Sequence, residues 1–222
     1  EKPTGEISAG AGYGSSGTTL AVGIKENNFN GNGIKLNFDL SLTQESIKGR
    51  FAYTDPNFAY SDRAVTTSIQ STTTDKEADY GYKNSLNKIS LGTSFEQYEN
   101  FYFSPNLSIS SEALTTTAKA SANYKKQEGT YFDALLNYSL SYDTLNSSYE
   151  PSEGFVSTFT QELPLVSEGS AIVNGYQITG FKEVMDKSVL SVGLFTKAVT
   201  SIQSNKDVRV SKRLFIPESK LR

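Results

Sequence analysis

The sequence of 222 residues contains no cysteine, no histidine and no tryptophan, and only one methionine. Without Cys and His, thiolate nucleophiles, imidazole bases and most zinc sites are excluded. No run of about 18 apolar residues occurs, so the sequence predicts no membrane-spanning helix. The net charge of −3 gives no basic surface of the kind that nucleic acids bind, so we expect no nucleic-acid partner.

Hydrophobic residues are also scarce, at 36% of the chain, whereas Tyr and Phe contribute 13 residues each. Low apolar content is typical of disordered chains, but this aromatic content and the regular alternation described next argue against disorder. A β-barrel with a polar interior needs apolar residues at only half of its strand positions. The composition therefore favours such a barrel over a chain packed around an ordinary core.

The clearest alternation lies at residues 33–43, where Ile34, Leu36, Phe38, Leu40 and Leu42 are separated by polar residues. Successive side chains of a strand point to opposite faces, so this segment has one apolar and one polar face. Most of the similar segments have about the 9–11 residues that a tilted strand needs to cross a bilayer. We predict no helix and eleven strands, at about residues 5–14, 19–27, 33–43, 47–54, 64–73, 87–96, 105–117, 132–142, 154–164, 171–183 and 188–202.

The connections between these strands are of two kinds. Those after odd-numbered strands are mostly polar, with Tyr80, Tyr82 and Tyr124 as exceptions. An up-and-down meander places alternate connections at opposite ends, so we expect one end to carry an aromatic girdle at a membrane interface. Aromatic residues gather in or beside the connections after even-numbered strands: Phe29, Phe58, Tyr60, Tyr98, Phe101, Tyr102, Phe103, Tyr142, Tyr149, Phe155 and Phe181.

Together the two patterns predict an all-β fold, an antiparallel up-and-down transmembrane β-barrel, with a soluble all-β protein as the alternative. A single-chain bacterial barrel has an even number of strands, and eleven is odd. An open sheet in lipid would also leave backbone groups unpaired. We therefore expect residues 1–222 to be part of a larger barrel that is cut inside a loop, and we expect this part not to fold alone.

Five short motifs occur along the chain. In order they are the opening TGEISAGAGYGSSG at residues 4–17 with the N-x-x-G-x-G turn at 28–33, YTDPNF at 53–58, YDT at 142–144 with Pro151 and Gly154, KRLF at 212–215, and KLR at 220–222. In this order they resemble the outer-membrane assembly proteins of BamA type, also called bacterial surface antigens.

The resemblance implies a barrel of sixteen strands preceded by POTRA domains, of which residues 1–222 would supply strands one to eleven and the start of the sixth extracellular loop. Such proteins fold and insert other β-barrels in the bacterial outer membrane, through a seam between the first and last strands that opens sideways. The partners it implies are nascent outer-membrane β-barrel proteins, membrane lipids and accessory assembly lipoproteins, without a cofactor. Arg222 would be the arginine of the family's sixth-loop Arg-Gly-Phe motif and would pair with carboxylates on later strands.

The first strand is the candidate lateral gate. Gly10, Gly12 and Gly14 lie on one of its faces, and glycine weakens a strand and supplies little packing. Such an edge can part from its partner and offer its backbone to an incoming strand. The alternative is a bend at a crowded barrel wall, where glycine lets backbones approach. The candidate gate residues are Glu6, Ile7, Ser8, Ala9, Gly10, Ala11, Gly12, Tyr13 and Gly14.

We interpret the remaining motifs as structural. Asp and Asn cap turns and Pro ends strand pairing, so the motif at 55–58 and the turn from Asp143 to Gly154 shape connections. The carboxylates Glu77 and Asp79, like Glu150 and Glu153, fall in connections and form no catalytic pair that the sequence can place, so we predict no enzyme. Beside the assembly factor, a secretion or translocation pore of the same superfamily, a passive porin and a soluble adhesin remain open.

Overall fold

The computed structural model describes residues 4–14, 17–169, 171–185, 188–202 and 208–213. Within these ranges the chain forms eleven strands in one antiparallel sheet, and neighbours in sequence are neighbours in the sheet. The strands are β1 (Gly5–Gly14), β2 (Gly17–Phe29), β3 (Ile34–Thr43), β4 (Ser46–Asp55), β5 (Ala64–Lys76), β6 (Tyr82–Tyr98), β7 (Phe101–Thr116), β8 (Gly129–Asp143), β9 (Glu153–Ser167), β10 (Ala171–Met185) and β11 (Ser188–Ser201).

The predicted number, order and type of the strands are confirmed, with several strands longer than the alternation suggested. The prediction of no helix is wrong at two single turns, α1 (Glu77–Tyr80) and α2 (Ala122–Lys125), in the connections after β5 and β7. Two 3-10 turns, Phe58–Tyr60 and Val210–Lys212, occur as well. None of the helices in the described ranges has the length and apolar character needed to span a membrane.

The chain divides into two compact units. The first unit comprises Glu1–Thr93, Asn106–Ala134 and Val166–Glu168, and the second comprises Ser94–Pro105, Leu135–Leu165 and Gly169–Arg222. The first unit therefore contains β1 to β5 whole, and the second contains β10 and β11 whole and nearly all of β9.

In the first unit, strand register collects apolar side chains on one face. Ile7 lies opposite Ile24, Ile24 opposite Phe38, Phe38 opposite Phe51, and Phe51 opposite Ile69. This row crosses five strands on one face of the sheet, because residues that are paired directly across neighbouring strands point to the same face. The side chains are nevertheless exposed, by 48% at Ile24 and 42% at Phe51. A face of this kind is what a sheet presents to lipid, whereas soluble proteins rarely expose so large an apolar patch.

Cross-strand pairs of small polar side chains explain the abundance of Ser and Thr. Neighbouring strands place these side chains directly opposite one another, where hydroxyl pairs stabilise a sheet without needing a large apolar core. Examples in both units are Thr54 with Thr66 (3.0 Å), Ser68 with Ser90 (2.7 Å), Ser71 with Asn87 (2.8 Å), Ser94 with Ser104 (2.8 Å) and Ser141 with Thr158 (2.9 Å).

The tyrosines that broke the predicted pattern of polar connections have a packing role in the first unit. The rings of Tyr82 and Tyr124 stack with centroids 4.2 Å apart, which joins the first residue of β6 to the connection after β7. Lys76 lies over the ring of Tyr80 at 5.3 Å and pairs with Glu45 at 3.1 Å. The Thr117 N–H donates to the Gly81 carbonyl at 2.8 Å. These connections are therefore packed against one another.

In the second unit, the aromatic residues at the predicted girdle contact one another in pairs. Tyr98 and Phe101 lie on either side of the turn between β6 and β7, with ring centroids 6.4 Å apart. Tyr142 and Phe155 flank the connection between β8 and β9 at 5.9 Å. Tyr149 in that connection is 91% exposed. Paired aromatic rings beside the connections and an exposed tyrosine are typical of a membrane interface.

A polar ladder of three side chains crosses β8, β9 and β10 in the second unit. The Tyr138 hydroxyl donates to Gln161 Oε1 at 2.8 Å, and Gln161 Nε2 donates to Asn174 Oδ1 at 2.6 Å. The ladder lies beside an aromatic contact, since the rings of Tyr138 and Phe159 are 6.3 Å apart. Gln161 is therefore the link on which both hydrogen bonds depend.

We predict that Gln161→Leu destabilises the folded protein in lipid by about 1–3 kcal/mol, because the Tyr138 hydroxyl and the Asn174 amide lose their partner where no water can replace it. The triple variant Tyr138→Phe, Gln161→Leu, Asn174→Val removes all three polar groups and should recover most of the loss. Urea unfolding in phospholipid vesicles measures both. Equal stability of wild type and the single variant would contradict a lipid-covered ladder.

Candidate functional site

The candidate gate residues all lie on β1, which occupies one edge of the sheet in the first unit. β1 pairs with β2 in unbroken register, from Gly5 opposite Glu26 to Gly14 opposite Gly17. Within the described residues, no strand pairs with the other edge of β1. The side chains are exposed along the strand, by 80% at Ile7 and 87% at Tyr13. The edge therefore lies open.

The hydrogen-bond pattern shows which backbone groups the open edge offers. The Asn27 N–H donates to the Thr4 carbonyl at 3.3 Å, so Thr4 is hydrogen-bonded to the β2 side. In an antiparallel pair, alternate residues bond to one neighbour and the residues between them point to the other side. Even-numbered residues of β1 therefore bond to β2. The residues whose N–H and C=O groups face the open edge are Gly5, Ile7, Ala9, Ala11 and Tyr13.

Two of the four glycines of β1, Gly10 and Gly12, are not required by local crowding. A Cβ added at Gly10 or at Gly12 would meet no atom within 4 Å among the described residues. Neither residue has a positive φ, so no turn geometry requires glycine there. What these glycines do change is strand stability, because they lack both packing surface and β preference.

The edge strand of the second unit, β11, differs in composition from β1. β11 pairs with β10, and no described strand pairs with its other side. Its fourteen residues include one glycine, Gly193, and apolar residues such as Val189, Val192 and Leu194. β1 has four glycines in ten residues. β11 is thus an ordinary strand, and β1 is a weak one.

One end of β1 is held by side chains. The Thr4 hydroxyl hydrogen-bonds to Glu26 Oε1, which also accepts the Asn28 N–H at 2.8 Å. Asn28 Oδ1 in turn accepts the Gly33 N–H at 2.6 Å, which closes the turn between β2 and β3. This network fixes the beginning of the strand at the turn, whereas three of its four glycines, Gly10, Gly12 and Gly14, lie in the other half.

A hollow of about 550 Å³ opens beside β1 on the face that carries the polar residues of the first unit. The space beside β1 is free because Ser8 has a small side chain and Gly10 and Gly23 have none. The long side chains of Lys48 and Arg50 line the far side of the hollow. The small residues next to this edge leave room on the polar face for a polypeptide segment that runs alongside β1.

The two turn motifs have the structural role that the sequence predicts. Asp55 Oδ1 accepts the Asn57 N–H at 3.0 Å, and Asn57 Oδ1 accepts the Asp62 N–H at 3.0 Å. Asp143 Oδ1 accepts the Leu145 N–H at 2.9 Å. Gly154 has a φ of 99°, and a side chain there would collide with the Thr144 carbonyl. These residues shape turns between strands.

Arg222 lies outside the described residues, so its predicted pairing stays a prediction. The nearby described segment is residues 208–213, where Lys212 forms an ion pair with Glu162 of β9 at 2.8 Å. Neither this pair nor the polar ladder could be found in the sequence, because both join residues that are far apart along the chain. Across the described ranges, no group of three or more acidic residues is placed to hold a metal ion.

Comparison with known proteins places this geometry in a family. Residues 28–216 match the Omp85 superfamily domain, so the match begins near the end of β2. No curated protein matches the sequence significantly. The crystal structure of BamA from Haemophilus ducreyi lacking POTRA domains 1–3 is similar with a TM-score of 0.79 at 23% identity, over 96% of this chain and 44% of that one.

The chain therefore spans less than half the length of that BamA structure, and at this identity the likeness concerns the fold. The fold is a portion of a BamA-type β-barrel, as the sequence predicted. Since the family match covers most of the chain, this protein belongs to the Omp85 superfamily.

Proposed function

We propose that this chain is part of an outer-membrane assembly factor that folds and inserts other β-barrel proteins, and that β1 is the edge to which an incoming strand is added. One observation carries the proposal: β1 combines an open edge with two glycines, Gly10 and Gly12, that no local crowding requires. Membership of the Omp85 superfamily supports it.

The physical driving force is backbone pairing. An extended client segment aligned with β1 would exchange hydrogen bonds with the residues that face the open edge, beginning at Gly5 and ending at Tyr13. In lipid each unpaired backbone group costs several kcal/mol, so a client strand gains more from pairing there than in water. The weak glycine-rich strand then makes later release possible, because fewer side-chain contacts have to be broken.

The exposed apolar face and the aromatic pairs support a location in the bacterial outer membrane, with membrane lipids against the row that includes Ile24 and Phe51. The partners that follow are nascent outer-membrane β-barrel proteins, together with accessory assembly lipoproteins. We infer that the work is done by strand exchange, without an enzymatic step or a bound cofactor.

We predict that a client strand forms disulfide cross-links with β1 but not with β2. Single cysteines replace Ala9 or Ala11 in the full-length protein, and a client barrel carries a single cysteine in its terminal strand. A disulfide requires Cβ atoms about 3.5–4.5 Å apart, and neighbouring strands are about 4.8 Å apart. Adducts on gel electrophoresis during client synthesis are the expected result.

The matched control is a cysteine at Ala21 on β2, which is paired with Gly10 on one side and with Ser41 on the other. A strand added to β1 would be about 10 Å from Ala21, beyond reach of a disulfide. Equal adducts from β1 and β2, or none from β1 while client assembly proceeds, would contradict the proposal. A superfamily pore that secretes proteins would link only to passing soluble clients, and a porin to no client.

We also predict that the double variant Gly10→Val, Gly12→Val folds normally and inserts clients more slowly. The added side chains meet open space, so folding should tolerate them. Valine strengthens a strand relative to glycine by up to about 1 kcal/mol, which corresponds to a rate about fivefold lower per site if β1 must yield. Client insertion into vesicles, measured as protease-protected product over time, gives the rate.

Gly49→Val on β4 is the control, because a Cβ at Gly49 also meets no atom within 4 Å while β4 is paired on both sides. It should leave the insertion rate unchanged. The gate would be wrong if the β1 variant inserted clients at the wild-type rate, or if Gly49→Val slowed insertion equally.

A further inference from the structure

The segment that follows β11 is folded onto the second unit. Residues Val210–Lys212 form a 3-10 turn, in which the Lys212 N–H donates to the Arg209 carbonyl at 2.9 Å. Arg213 Nε donates to the Val208 carbonyl at 3.1 Å. Both bonds close the turn on itself, so its shape is set within six residues.

Two cations of this turn fasten it to β9 and to the connection after β9. Arg209 is only 5% exposed, and its side chain packs over Gly169, where an added Cβ would lie 2.9 Å from Nε. Lys212 Nζ reaches Glu162 Oε1 of β9 at 2.8 Å. Gly169 therefore leaves the space that the arginine occupies, and Glu162 supplies the opposite charge for the lysine.

A second ion pair that involves β9 shows why burial matters. Lys182 of β10 and Glu153 of β9 lie 2.7 Å apart, and their side chains are 68% and 66% exposed. In the Lys212–Glu162 pair the exposed fractions are 14% and 25%. Water and salt compete with an exposed pair, so such a pair contributes little, whereas loss of one partner of a shielded pair leaves the other charge without compensation.

We propose that Lys212 and Arg209 are positioning residues that fasten the segment after β11 to the polar side of β9. The anchor fixes the course of the chain at residues 208–213, as far as Arg213. This inference goes beyond the proposed function and does not depend on the gate at β1.

Limited trypsin digestion of the full-length protein in phospholipid vesicles tests the anchor. Glu162→Gln removes the partner of Lys212 and leaves every trypsin site in place. We expect cleavage after Arg209 and Arg213, quantified by mass spectrometry, to become about tenfold faster, which corresponds to about 1.4 kcal/mol of local opening. Cleavage after Lys126, in the connection between β7 and β8, serves as the internal reference and should not change.

Glu153→Gln is the matched control, because it breaks the exposed pair on the same strand and should leave cleavage after Arg213 at the wild-type rate. The swap Glu162→Lys with Lys212→Glu restores opposite charges and should restore protection, and Lys212→Arg alone, which keeps a cation opposite Glu162, should leave the turn protected. The anchor is refuted if Glu162→Gln leaves the turn protected, if Glu153→Gln exposes it equally, or if cleavage rises in parallel after Lys126, which would indicate general destabilisation.

Discussion

Backbone pairing is the constraint on which the rest of this structure depends. Every strand of the described sheet lies beside its neighbour in sequence, so hydrogen bonds between adjacent strands satisfy the backbone without long crossovers. Only an edge strand keeps unpaired N–H and C=O groups, and such groups are costly in lipid and reactive toward another strand. The register of β1 with β2 identifies the unpaired groups: they belong to alternate residues from Gly5 to Tyr13.

A few residue types, chiefly Ile and Phe on the apolar face and Ser and Thr in polar pairs between strands, account for most of the side-chain contacts of the sheet described above. On the apolar face, rows such as Ile24, Phe38 and Phe51 are assembled across strands and remain exposed. On the strands of both units, Ser and Thr pairs take the place of a large apolar core. The polar ladder at Gln161 shows that even strongly polar side chains are accommodated when each has a partner on the next strand.

Rigid and yielding elements are distributed unevenly along the chain. In the first unit the stack of Tyr82 on Tyr124 ties the start of β6 to the connection after β7, and in the second unit a shielded ion pair holds the turn at Lys212. β1 has neither kind of fastening in its glycine-rich half. The strand exchange that we propose for β1 would use this contrast, because a weak edge strand can part from its neighbour without wider unfolding only when the elements around it keep their shape.

The sequence by itself determined the all-β class, the eleven strands and their order, because a two-residue period and turn residues are local signals. It also determined the role of turns such as Asp55 with Asn57, whose bonds span a few residues. Only the tertiary structure decided which backbone groups of β1 face the open edge, that Gly10 and Gly12 are not crowded, and that Lys212 meets Glu162. Each of these depends on register or on contacts between distant residues, which a periodic pattern does not encode.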